Sequence, residues 1–214
     1  MKGFDYSVEI KDSKTYEKLR PIGGSVINKL YKIEYVGVEN IPSDGGFIIA
    51  SNHMHALDPV FIGLGLKDRQ LHFMGKKELF ENPIAKSFLT KLNGFPIVRG
   101  GADSQALDYA IRVVKEGHIL GIFPEGTRSK DYKPARAKSG VALIAKEAKA
   151  DILPVSIYTS DDMKKHTKLT IRFGEIMPYE SLGLGEDASK EQIRNCAHAV
   201  MDEIKKLWGM GHCE

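Results

Sequence analysis

The chain has 214 residues, 42% of them hydrophobic and 28% charged, with a formal net charge of +3. That apolar content excludes a disordered chain, and the length suits a single α/β domain. The longest apolar stretches, Gly45 to Leu57 and Pro59 to Leu66, fall short of the roughly 18 residues a spanning helix needs, so a spanning helix is excluded. Asp5, Glu9 and Asp12 stand where a secretory signal needs an apolar core, and a cytoplasmic protein is expected.

Residues 1–32 come first and differ in character from the rest. Lys2, Lys11, Lys14, Lys18, Arg20, Lys29 and Lys32 stand against Asp5, Glu9, Asp12 and Glu17, and the apolar positions are interrupted by Pro21, Gly23 and Gly24. The segment is basic and loosely amphipathic. It reads either as a helix packed on the body with a solvated face or as a membrane-surface element.

Residues 33–214 read as one body. Apolar runs bounded by turn residues predict strands at Lys32 to Val36, Phe47 to Ser51, Leu71 to Met74, Phe95 to Val98, Ile119 to Phe123, Ile152 to Tyr158 and Leu169 to Phe173. Helical periods fall at Ser104 to Lys115 with Gly117 as a stop, at Gly140 to Lys149, and at about Ser189 to Trp208, ending at Gly209. This alternation predicts an α/β fold, a central mixed and mostly parallel sheet flanked by helices. Two cysteines, Cys196 and Cys213, supply neither a disulfide framework nor a zinc set, and Cys196 falls on the apolar face of the last helix.

Three strings carry candidate chemistry. The strand Phe47 to Ser51 runs into Asn52, His53, Met54, His55, Ala56, Leu57 and Asp58, placing a His and an Asp in the turn after a strand, where α/β sheets position ligand and catalytic groups. A neutral imidazole can take a proton from an alcohol while a carboxylate on its other nitrogen fixes the tautomer. There is no G-x-S-x-G elbow to supply an enzyme nucleophile, so the hydroxyl to be activated would be the substrate's. Other readings stand beside this one. Asp58 followed by Pro59 suits a helix N-cap, and His53, His55 and Asp58 together could hold a metal ion. The second string, Phe123 to Ser129, combines Gly126, hydroxyls and Arg128 as a candidate phosphate loop; the third, Gly94 to Gly101, closes a strand with Arg99.

These strings in this order resemble the glycerolipid acyltransferase family, and within it the bacterial lysophosphatidate acyltransferases. NHMHALD carries the family's N-H-x-x-x-x-D block through Asn52, His53 and Asp58, GFPIVR the second block, FPEGTRS the third, and ILPV at Ile152 to Val155 the fourth. The resemblance implies that His53 is a general base oriented by Asp58. Arg99, Glu125, Gly126 and Arg128 would form a glycerol-phosphate pocket, with Lys76 or Lys77 a further candidate for that anion. Ile152 to Val155 would shape the acyl-donor side. It further implies transfer of a fatty acyl group from acyl carrier protein or coenzyme A to the 2-hydroxyl of 1-acylglycerol 3-phosphate. The thioester is then a co-substrate and no cofactor or metal is expected. The expected partners are the lysophosphatidate acceptor, the acyl donor and the anionic inner face of the membrane, with no nucleic acid.

His55 stands where the family usually has a small hydroxyl residue, and the hydrophobic N-terminal segment common in bacterial members is not found, which leaves attachment to the surface segment. The second basic cluster, Arg128, Lys130, Lys133, Arg136 and Lys138, offers another surface for anionic headgroups or an acidic carrier. Three rivals remain: acylation of another lysophospholipid, a metal-dependent hydrolase on His53, His55 and Asp58, and a non-catalytic phospholipid-binding module.

Overall fold

The computed structural model describes residues 4–98, 103–164 and 166–213. Seven strands form one sheet: β1 (Lys32–Val36), β2 (Phe47–Ser51), β3 (Leu71–Lys76), β4 (Gly94–Ile97), β5 (Ile119–Ile122), β6 (Ile152–Tyr158) and β7 (Lys168–Phe173), in the spatial order β1-β7-β6-β2-β5-β3-β4. The five strands from β6 to β4 are mutually parallel; β7 joins β6 antiparallel, and β1 pairs parallel with β7. The fold is therefore the expected mixed, mostly parallel α/β sheet.

Parallel strands covered on both faces need no polar side, which is why β2 reads as an unbroken apolar run and all five of its residues are buried. Alternation along the strands sorts them between two cores. Ile48, Ala50, Leu120 and Ile122 face α4 (Ser104–Lys115), α5 (Gly140–Ala148) and α6 (Lys190–Gly209). Phe47, Ile49, Leu71 and Ile119 face α1 (Lys14–Leu30) and α2 (Asp58–Gly65). Pro154 in β6 cannot donate to a ladder. It falls between the last β7 pair, Val155 with Phe173, and the Ile152–Met177 bridge, where no N–H is required of it.

Local chemistry sets the helix ends. Asp103 caps α4 by accepting the Ala106 N–H, and after Glu116 the chain reverses at Gly117 (φ +89°), where the His118 N–H returns to the Val113 carbonyl. Ser189 and Gln192 close α6 with a reciprocal capping box. Cys196 lies buried in the α6 core, and burial pushes its thiol up to about 11, the state of an inert packing residue.

Two helices depart from the expectation. α1 runs unbroken through Pro21, Gly23 and Gly24. Ile27 is buried against the second core, and a Cβ on Gly63 of α2 would collide with the Tyr16 hydroxyl, so close packing on the body holds a helix that local propensity would break. The other helix, α3 (Pro83–Lys91), starts on an Asn82 cap that accepts two backbone N–H groups, although its residues Ile84 and Phe88 are exposed.

Residues ahead of α1 also lie against the body. Ile10 is buried in the first core, the Tyr6 hydroxyl donates to the Pro96 carbonyl, and Arg112 donates to the carbonyls of Tyr6 and Val8. Among the described residues no helix is long and apolar enough to cross a membrane.

Candidate active site

β2 ends at Ser51, and the next residue lets the chain leave the sheet without losing its hydrogen bonds. The Asn52 amide donates to the Ile157 carbonyl at 2.9 Å and accepts the Ile157 N–H at 2.8 Å. A side chain thus completes the β2–β6 ladder while the backbone turns away. His53 follows at the sheet's C-terminal edge, as position after a parallel strand suggested.

The His53 ring is held on several sides. Its Nδ1 lies 2.8 Å from Asp58 Oδ2, and the same oxygen accepts the backbone N–H groups of Met54 at 2.7 Å and His55 at 2.8 Å. Phe123 stacks on the ring at 4.1 Å with the planes 17° apart. The His53 N–H donates to Glu125 Oε1 at 3.0 Å, and its carbonyl accepts the Ser129 N–H at 2.8 Å. Asp58 is fully buried at the start of α2. A carboxylate accepting from Nδ1 keeps the proton there and leaves the Nε2 lone pair as the available base. Asp58 does not cap α2. The residue before the helix is Leu57, and the carboxylate turns back onto the His53 loop.

The metal-ligand reading of His53, His55 and Asp58 fails on geometry. Among the described residues these three do not bring one ligand atom each to a common point: His53 Nδ1 is held on Asp58 Oδ2, while the His55 ring stacks on Phe61 with the planes 13° apart and its Nδ1 accepts the Leu57 N–H. His55 therefore neither competes for the Asp58 side chain with its ring nor joins it around an ion.

His53 opens on a cleft of about 570 Å³. Its walls are mostly apolar: Leu19, Val26 and Ile27 from α1, Val60 and Leu64 from α2, Leu71 and Phe73 from β3, and Phe88, Leu89 and Leu92 from α3 and its end. Arg128, Arg20 and Lys76 supply the cationic groups along the lining. An apolar trough with a few charges beside a held imidazole suits an amphiphile whose polar end reacts.

The remaining residues expected at a phosphate pocket divide. Arg128 lines the cleft as expected, exposed at the end of the loop. Glu125 does not: its side chain is 3% exposed and lies behind the His53 loop, with Oε1 on the His53 N–H and Oε2 buried without a hydrogen-bond partner among the described residues. Burial pushes its carboxyl up to about 7, the His53 N–H offsetting part of that effect and the neighbouring Asp58 charge adding to it. From behind the loop the carboxyl cannot reach a ligand in the cleft, and it supports the main chain of His53. Gly126 also stays off the lining; its φ of +69° turns the loop, and its N–H returns to the Phe123 carbonyl.

Lys77 faces a second hollow beside Tyr6, Phe80 and Val98, whereas Lys76 lines the cleft and pairs with Glu78 at 3.0 Å. Arg99 lies outside the described residues. Ile152 to Val155 are wholly buried in β6 and do not reach the cleft. Arg20 is the cleft cation that sequence reasoning did not single out. Its only signal was an arginine one turn beyond the aromatic Tyr16 in a basic segment.

Fold and site together define an acyltransferase. The Acyltransferase family model matches residues 32–158, more than half of the chain, and the chain belongs to that family. It is 35% identical over 172 residues to the 1-acyl-sn-glycerol-3-phosphate acyltransferase of Bacillus subtilis, a match covering 79% of this chain and 84% of that protein. The protein of the same name from Streptococcus pneumoniae is 31% identical over 209 residues, covering 92% and 76%. The crystal structure of the 1-acyl-sn-glycerophosphate (LPA) acyltransferase PlsC from Thermotoga maritima superposes with a TM-score of 0.71 at 26% identity, covering 93% of this chain and 81% of that one.

Proposed function

We propose that the protein acylates the 2-hydroxyl of 1-acylglycerol 3-phosphate with a fatty acyl group from a thioester of acyl carrier protein or coenzyme A, forming phosphatidate. The observation that carries this reading is the His53–Asp58 pair opening directly on an apolar cleft with cations on its lining. In the reaction His53 Nε2 takes the hydroxyl proton as the oxygen attacks the thioester carbonyl. The carbon–sulfur bond then breaks, and the imidazolium returns the proton to the departing thiolate. Asp58 stabilises the imidazolium without taking the proton. Arg128, Lys76 and Arg20 position the acceptor phosphate, and the apolar walls take an acyl chain.

The acceptor is an amphiphile, so the same reading places the protein on the anionic inner face of the membrane. Two features support that surface. Exposed Ile22, Val26, Leu79, Ile84 and Phe88 occur on α1, on the turn after β3 and on α3, three of them also lining the cleft. Arg128, Lys130, Lys133, Arg136 and Lys138 are all exposed.

The test is release of free thiol from acyl-coenzyme A and acyl carrier protein, with lysophosphatidate, with lysophosphatidylcholine and with no acceptor, the lipid product identified by mass. Thiol release that needs lysophosphatidate and yields phosphatidate is expected. Release without acceptor would make the protein a thioesterase, equal use of lysophosphatidylcholine would remove the preference for a free phosphomonoester, and no release with any donor would leave a binding module.

A further inference from the structure

On the sheet face opposite the cleft, three potential ligands meet that the proposed reaction does not use. His72 of β3 pairs in register with Leu120 of β5, which belongs to the first core, so its side chain points away from the cleft that its neighbours Leu71 and Phe73 line. It is 3% exposed, and its Nε2 is buried without a hydrogen-bond partner among the described residues. The His118 ring, from the turn between α4 and β5, lies 5.0 Å from the His72 ring, and His118 Nδ1 is 3.3 Å from Asp12 Oδ1. One ligand atom from each of Asp12, His72 and His118 lies within 4.8 Å of the others.

We propose that Asp12, His72 and His118 form a structural site for a divalent metal ion of the zinc class, tethering the start of α1 to the sheet. Two imidazoles and a carboxylate are a donor set that suits zinc, with water in the fourth position. In a tetrahedral site with ligands about 2.05 Å from the metal, donor atoms stand about 3.3 Å apart. The His118–Asp12 pair already has that spacing, and Asp12, half exposed on the strap before α1, has room to close the rest. His72 is 3% exposed, and its unpartnered Nε2 is a lone pair or N–H with no protein group among the described residues to meet it. An unpartnered nitrogen buried this deeply is otherwise unexplained in this core.

The position gives the site a structural consequence. Asp12 precedes Ser13, the cap of α1, which donates its N–H to Gln70 and its hydroxyl to the Lys91 carbonyl. Tyr16, one turn on, and Leu19 and Arg20, two turns on, wall the cleft. A metal there would fix the end of that wall to β3 and β5 while standing apart from His53.

The test uses the full chain, cleared of metal with a chelator, titrated with Zn²⁺ by calorimetry and with Co²⁺ by visible absorption. One equivalent should bind, with the absorption of tetrahedral cobalt, and zinc at a hundred times its Kd should raise Tm by about 5 °C or more. Asp12→Asn alters a half-exposed group and should fold; His118→Ala removes a side chain 20% exposed in the turn before β5, so its fold is checked by circular dichroism and Asp12→Asn carries the test if it fails. Each should weaken binding at least tenfold and lose the rise in Tm. Wild-type protein that binds no tighter than these variants, or cobalt spectra unchanged by them, would overturn the proposal and leave His118 and Asp12 a plain polar contact.

Discussion

Glu125→Gln should change the pH dependence of stability in one direction. The Glu125 carboxyl has an ordinary value of 4.5, and burial raises it to about 7 in the folded protein. The folded state therefore binds this proton more tightly than the unfolded chain. The stability it contributes is fully present below pH 4.5 and is lost as pH rises to about 7. At about 1.4 kcal/mol per decade the whole effect is about 3 kcal/mol, and relaxation of the site around the charge brings the expected value to about 1–3 kcal/mol. Glutamine keeps an oxygen for the His53 N–H and cannot ionise. Its buried amide carries a penalty of about 1–3 kcal/mol, but that penalty is independent of pH. The assay is urea unfolding of both proteins at pH 5 and pH 8, followed by fluorescence of the single tryptophan, Trp208. Between the two pH values the variant should gain about 1–3 kcal/mol on the wild type. A stability difference identical at both would mean that Glu125 titrates as an ordinary carboxylate, and the account of its burial would be refuted.

His53→Ala should lower kcat at least about 10³-fold while acceptor binding stays within roughly threefold, because a base acts in the transition state. Asp58→Asn should give a loss in kcat of similar order, since the amide holds the loop but carries no charge for the imidazolium; rapid-quench turnover and equilibrium binding check both. Arg128→Lys should raise KM for lysophosphatidate several-fold with little change in kcat, and should leave an acceptor analogue without phosphate unaffected, because an ammonium lacks the planar fork. Equal effects on both acceptors would make Arg128 structural. The protein should co-sediment with anionic vesicles and not with neutral ones at low salt, and be released by high salt; Ile84→Asp, at a position 81% exposed on α3, should weaken that binding without changing stability.

Where sequence and structure agree, the physics is local or the residue is buried on both sides. β2 needed only its apolar run, and α4 only its stripe with Gly117 beyond it, and both carry the expected bounds. His53 and Asp58 were legible because a four-residue gap after a strand brings one turn of chain back on itself. The cleft was not legible. Its α1 wall is a helix that Pro21 argues against and tertiary contact preserves, and α3 leaves Ile84 and Phe88 exposed, so no buried stripe marks it. Lys76 and Lys77 are adjacent in sequence, yet the end of β3 sends them to different hollows. Glu125 was misread for a related reason. A string of polar residues does not disclose which side of its loop faces the ligand, and here the carboxyl turns inward to the main chain of the base.

That inward turn accounts for how the site is divided. His53 is fixed by its own ring, by its amide and by its carbonyl, through Asp58, Glu125 and Ser129, with Phe123 across the ring face. These partners come from the loop that follows β5 and from the first residue of α2, while His53 itself follows the adjacent central strand β2, so the ring is anchored close to the sheet. The cleft walls come from α1, α2, α3 and β3, the strand between β5 and the edge strand β4; of these only α2 also carries a partner of His53. On the proposed function, a substitution on α1 or α3 changes the room for a chain without touching the loop that holds His53, whereas one on α2 reaches both through Asp58. Chain selection and proton transfer would then be separable across α1 and α3, with the His53 loop constant.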